Sequence, residues 1–281
     1  MRDPNVPESL EGWWILHRAF ALDRRKWDDL PEKRRQKYAG HAIDLADHLK
    51  NGEDGDLGLT QIVGCKGDLM LTHYARRFDG LSYAQTLVDK LELREFLQPL
   101  GSYVSVLEVG LYGATAKIHA QLDERGLAPQ SPEWIAGFDE LLREQQESPY
   151  VGPRLWAKIP QRRYACFYPM NKRRGEANNW YALPFEERAK MMGEHGIVGR
   201  SYRGLVTQVI SGSIGFDDFE WGVDLYADDP LVFKKLIYEM RFDEASARYA
   251  EFGPFWAGLQ FSSTELPAFL SGDATPQLAA T

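Results

Sequence analysis

The chain has 281 residues, 44% of them apolar, enough for a sizeable core arranged as one large domain or two of about 130 residues each. A net charge of −8 argues against nucleic acid as the main partner, because phosphate binding needs a broad basic face. Only Cys65 and Cys166 occur, so no disulfide framework or thiolate metal site is expected; with no signal-peptide core and no run near the roughly 20 apolar residues that span a bilayer, the expectation is a soluble cytoplasmic protein.

Residues 1–11, with two prolines and several charges, read as a flexible tail. Hydrophobic periodicity then predicts a strand over Trp13–Ala21, a helix over Glu32–Lys50, strands over Leu59–Val63 and Leu69–Ala75, a helix over Tyr83–Leu91, a short helical segment near Glu95 and a strand over Tyr103–Val109. Residues 12–114 therefore form one βαββαβ half, and a helical, proline-containing connector follows over 115–153. The second half, 154–265, repeats the order. It has a strand over Tyr164–Tyr168, a helix over Pro184–Glu194, strands over Val206–Ile210 and Phe219–Tyr226, helices over Pro230–Met240 and Glu244–Tyr249, and a strand over Phe255–Gln260. Residues 266–281 close the chain as a second tail. Thr60-Gln61-Ile62-Val63 is echoed by Thr207-Gln208-Val209-Ile210, which points to an internal duplication. The predicted class is α+β: two ferredoxin-like halves packed as one dimeric α+β barrel unit, one half free to keep a pocket.

Chemistry concentrates in Tyr168-Pro169-Met170-Asn171-Lys172-Arg173-Arg174 and in His195. Alternation puts Tyr164, Cys166 and Tyr168 on one strand face, and Pro169 is expected to end the strand, leaving a phenol at its tip. Tyr168 is then either a core tyrosine or a functional one. Three consecutive cations are either a solvated loop or a grip on an anionic ligand, with Arg154 a further donor and Trp180 an indole edge for a flat ligand. His195, in Met191-Met192-Gly193-Glu194-His195-Gly196, is placed by the glycine near a helix C-terminus. It is either a dipole partner there or a single axial ligand to a haem-like macrocycle, which supplies four ligands itself. The six histidines show no HxxxH or HExxH spacing, and there is no Walker, GxGxxG or GxSxG motif.

Those residues, with Asn179-Trp180-Tyr181, Glu186-Glu187-Arg188, His195-Gly196, Gly199-Arg200, Asp218 to Val223 and Tyr238 to Glu244, resemble the coproheme decarboxylases of the chlorite dismutase-like superfamily of haem proteins. The motifs cover roughly 154–258; the first half matches mainly in architecture. The resemblance implies iron coproporphyrin III as substrate and redox centre, and a reaction in which hydrogen peroxide drives decarboxylation of two propionates to vinyls, giving haem b. It implies His195 as iron ligand, Tyr168 as the radical-forming tyrosine and Lys172 beside the reacting propionate. Porphyrin contacts fall on Arg154, Tyr168, Pro169, Met170, Asn171, Lys172, Gln208 and Ser246, with Trp180 added as a propionate contact. Asn171 stands where many members carry serine. The resemblance further implies a homopentamer in transient contact with the ferrochelatase. A chlorite dismutase would place an arginine above the haem, whereas the matching position here is Gln208, which cannot supply a fixed cation. A haem carrier would need His195 without Tyr168 and Lys172.

Overall fold

A computed structural model of the chain describes residues 5–149 and 151–278. In chain order the first half contains β1 (Leu10–Leu22), α1 (Arg24–Asp28), α2 (Glu32–Asn51), β2 (Gly55–Ile62), β3 (Leu69–Ala75), α3 (Phe78–Asp89) and β4 (Leu97–Val109). Three helices follow: α4 (Leu111–Glu124), α5 (Pro132–Gln146) and α6 (Gly152–Leu155). The second half contains β5 (Tyr164–Lys172), α7 (Phe185–Ser201), β6 (Val206–Gly212), β7 (Trp221–Ala227), α8 (Leu231–Met240), α9 (Glu244–Tyr249), β8 (Ala250–Phe252), β9 (Trp256–Phe261) and α10 (Leu266–Ser271).

All strand pairs are antiparallel, and the order β7-β6-β4-β1-β3-β2-β9-β5, with β5 pairing back to β7, closes the sheet into a ring. Within each half the order is the same: β4-β1-β3-β2 in the first and β9-β5-β7-β6 in the second. The seams join the second strand of one half to the last strand of the other, through β2 with β9 and β4 with β6. Period-two alternation decides what fills the ring. Trp13, Ile15, Tyr74, Leu107 and Tyr226 pack inside as one cluster, and Ala19, Met70, Tyr103 and Phe167 as another. Between them the buried His17 Nε2 meets Asp224 Oδ1 at 2.9 Å across the ring.

The outer faces differ between halves. Over the first, α2 presents Ala39, Ala42, Ala46 and Leu49 at helical spacing and packs flush on Leu57, Leu59, Leu69 and Leu71. Over the second, α7 occupies the matching position but buries only Phe185, Arg188 and Met191, and it stands off the sheet. A cavity is left there.

Four sequence expectations change. Pro169 does not end its strand: β5 runs on to Lys172. It pairs with β9 as far as Phe167 and with β8 from Met170, so the proline's missing N–H falls in the gap between two partners. Helix α7 continues past Gly196 to Ser201, which places His195 inside the helix rather than at its end. Gly199, one turn further on, faces Gln208 and Met240, whose nearest atoms would lie 3.4 Å from a Cβ there, an ordinary van der Waals contact. Residues from 266 on do not begin as a tail, because Leu266, Phe269 and Leu270 of α10 are buried against the α2 layer. Likewise Leu10 and Glu11 already belong to β1. Among the described residues no helix is long and apolar enough to cross a membrane.

Candidate functional site

The cavity between α7 and the outer face of β5, β6 and β7 encloses about 850 Å³, part of it open at the mouth. From β5 the alternation sends Tyr168, Met170 and Lys172 into it. Pro169 lines a different cavity, inside the ring, and the Asn171 Oδ1 accepts the Glu220 backbone N–H at 2.8 Å. Gln208 and Ile210 of β6, Trp221 and Val223 of β7, and Ile237 and Met240 of α8 complete the sheet side, and Met192 and His195 form the helix side.

Tyr168 is buried, its ring stacked on Phe255 with centroids 4.5 Å apart. Burial, aided by Cys166 and opposed by Arg241, pushes its phenol well above the usual range, so it keeps its proton at neutral pH. Lys172 Nζ donates to the Ala245 carbonyl at 3.0 Å and lies 4.3 Å from the centre of the Trp180 ring. Burial pushes its ammonium down to about 8, although Asp243 and Glu220 pull the other way. The Glu220 carboxylate also accepts the Lys172 backbone N–H at 2.8 Å, fixing this end of the strand.

His195 has a partner that the sequence reading did not find. Its Nδ1 lies 2.9 Å from Asp243 Oδ2, and the same carboxylate caps α9 by accepting the Ser246 N–H at 2.9 Å and the Ser246 hydroxyl at 3.1 Å. Burial acts to raise the Asp243 carboxyl, but His195 and Ser246 outweigh it and hold it below the usual range. Asp243 directly before Glu244, with Ser246 three residues on, is a readable N-cap signal. Nothing among the described residues bonds His195 Nε2, which is therefore the nitrogen available to a ligand. Gln208, which lines the cavity, donates from Nε2 to the Gly199 carbonyl at 3.1 Å.

The expected residues do not all gather. Ser246 and Trp180 line the cavity. Arg154 is exposed on α6 and is not among the lining residues. Arg173 and Arg174 border a surface pocket with Glu251, and Arg174 lies 3.7 Å from Glu220. Of the cation run only Lys172 enters the cavity. Tyr112, from the first turn of α4, is in its wall, and no sequence signal had marked it.

The donor set fits a macrocycle-bound iron. One imidazole is anchored through Nδ1 and free at Nε2, facing an apolar sheet wall, and among the described residues no group of three His, Cys, Asp or Glu could hold a bare ion.

Residues 35–261 match the chlorite dismutase family. The chain is 40% identical over 258 residues to the coproheme decarboxylase of Staphylococcus saprophyticus, an alignment covering 91% of this chain and 94% of that protein. It is 41% identical over 270 residues to a protein of Natronomonas pharaonis named for heme binding, covering 95% of this chain and 42% of the other. The chain thus spans about half the length of the curated relatives named in that way. The solved heme-binding protein of Thermus thermophilus superposes with a TM-score of 0.80 at 40% identity, covering 96% of this chain and 99% of that one.

Proposed function

The chain belongs to the chlorite dismutase family, and from that premise we propose that it decarboxylates two propionates of iron coproporphyrin III to vinyl groups with hydrogen peroxide, yielding haem b. The observation that carries this reading is the placement of Tyr168 and Lys172 on one wall of a cavity whose other wall presents the free Nε2 of His195. Neutral Gln208 stands on the sheet side, a position where chlorite chemistry would call for a fixed cation.

When bound, the iron porphyrin with peroxide supplies the oxidising equivalents. His195 holds the iron through Nε2, and Asp243 on Nδ1 fixes the tautomer and makes the imidazole a stronger donor. Tyr168, protonated at rest, gives up its phenolic hydrogen as a proton and an electron, and the phenoxyl oxygen then takes a hydrogen from the propionate β-carbon. For each propionic acid group one peroxide is consumed, and one carbon dioxide, two waters and one vinyl group are formed. Lys172, charged below about pH 8, pairs with the carboxylate that leaves. Buried aromatic rings around Tyr168 keep water from quenching it.

The test is to load the protein with iron coproporphyrin III, titrate peroxide and follow product mass. Loss of two carboxyl groups is expected; bleaching of the porphyrin with all four carboxyls intact would refute the reading. The same reading makes the protein a cytoplasmic homo-oligomer.

A further inference from the structure

Backbone pairing between β5 and β7 ends at Met170 opposite Trp221, two residues before Lys172. On its other edge the tip of β5 has only the three-residue β8. A strand end held so lightly frays, and a lysine carried on it would wander. The next opposed residues, Asn171 and Glu220, prevent this with their side chains. Asn171 Oδ1 accepts the Glu220 N–H at 2.8 Å, and Glu220 Oε2 accepts the Lys172 N–H at 2.8 Å. Two side chains and two backbone amides thus close a reciprocal clasp where the ladder stops. Glu220 is itself tied down: its carbonyl accepts the Ser213 N–H at 2.8 Å, and the Ser213 hydroxyl donates to the Val104 carbonyl of β4. Neither clasp residue lines the cavity, so Asn171, expected among the porphyrin contacts, turns its amide oxygen to Glu220 instead.

The charge of Glu220 is a second observation. Glu220 is 7% exposed, and a carboxylate is costly to bury unless it is answered. A neutral glutamine could also accept the Lys172 N–H, so the clasp by itself does not call for a charge. On the outside Glu220 is faced by Arg174 at 3.7 Å and by the Tyr181 phenol. On the inside it acts on the Lys172 ammonium, which Asp243 and then Glu220 favour against the effect of burial. The other ionisable groups in the cavity wall with Lys172 are His195, Tyr168 and Tyr112, the last of which accepts Trp180 Nε1 at 2.9 Å and Arg188 Nη1 at 3.3 Å.

We propose that Asn171 and Glu220 are positioning residues for Lys172, holding its backbone at the strand tip so that the ammonium meets the reacting carboxylate in one place. This rests on the function proposed above and adds to it two residues that stand outside the cavity. Geometry comes from the pair, and charge from Glu220 alone.

The test separates the two contributions. Lys172 is followed by the carbon-13 resonance of its Cε in ligand-free protein, and turnover by peroxide-driven decarboxylation of iron coproporphyrin III in loaded protein. Glu220→Gln keeps an acceptor and drops the charge, so the proton affinity of Lys172 should fall about tenfold, as on losing one nearby opposite charge. Its kcat well below the lysine midpoint should stay within about twofold of wild type. Asn171→Leu breaks half of the clasp and keeps the charge, so the proton affinity of Lys172 should hold within about twofold. Its kcat should fall about a hundredfold, the cost of misplacing a reacting group by about 1 Å, with the porphyrin Kd within about threefold of wild type. A wild-type kcat in Asn171→Leu overturns the proposal, as does a wild-type Lys172 titration in Glu220→Gln. Should Asn171→Leu not fold, hydrogen exchange in wild-type protein decides. The Lys172 amide should exchange as slowly as that of Tyr168, and exchange as fast as in the loop that follows overturns the proposal. If loaded wild-type protein does not decarboxylate, the function proposed above falls, while the exchange rate and the lysine titration still decide whether the clasp holds the strand tip.

Discussion

Replacing Lys172 by methionine should make the ligand-free protein more stable while abolishing decarboxylation. Lys172 is 7% exposed, and its ammonium is pushed down to about 8 from 10.5, chiefly by burial. At about 1.4 kcal/mol per tenfold change in proton affinity, that gap means the buried charge costs about 3 kcal/mol at neutral pH. Methionine matches the length of the stem and removes the charge. The change forfeits the hydrogen bond to Ala245, worth about 1 kcal/mol, so a net gain of about 2 kcal/mol is expected at pH 7. The sign with pH follows from proton linkage. Between pH 8 and 10.5 the unfolded chain holds a proton on Lys172 that the native protein has lost, so wild-type stability rises with pH across this window. The advantage of Lys172→Met should shrink over the same window and be gone above it. Urea unfolding of both ligand-free proteins at intervals from about pH 7 to about pH 10.5 measures this directly. A variant less stable than wild type at neutral pH, or two parallel curves, would refute the reasoning.

Three further outcomes are expected. Asp243→Asn replaces the carboxylate on His195 Nδ1 by a neutral amide, so the reduction potential of the bound iron should rise by tens of millivolts in spectroelectrochemistry; an unchanged potential would show that Asp243 does not tune the ligand. Tyr168→Phe should bind iron coproporphyrin III within about threefold of wild type and leave all four carboxyls in place, since only the reacting hydroxyl is lost; two decarboxylations in that variant would remove Tyr168 from the mechanism. Gly258→Ala puts a Cβ 2.1 Å from the Gln61 carbonyl oxygen at the β2–β9 seam, so a loss of about 3 kcal/mol or more is expected in thermal unfolding, and a wild-type melting curve would mean that the seam yields freely.

Much of the architecture could be read from periodicity, because strand and helix patterns differ in both halves and the second repeats the first. Alternation alone put Tyr168 on the face it occupies, and carrying the pattern two and four residues further reaches Met170 and Lys172. What escaped were long-range decisions. Pro169 reads as a strand end unless one knows that its neighbours change from β9 to β8 at that point. Gly196 reads as a stop, whereas α7 runs on to Ser201, its C-terminal turns facing Gln208 and Met240 from elements still to come in the chain. Arg154 shares the charge of a ligand grip but not the position, since a short helix turns it to the surface. Tyr112 could not be found, because what makes it distinctive is two donors 68 and 76 residues away in sequence.

The seams of the ring carry one more consequence. Neither half has a finished sheet by itself: the first would end in bare β2 and β4, the second in bare β9 and β6. Each half is therefore the other's missing partner, matched at two edges at once. A chain cut in the loop between α4 and α5 would yield two fragments with every reason to reassociate and little means of persisting apart. Complementation between separately made pieces, and not independent folding of either, is the behaviour that this closure builds into the molecule.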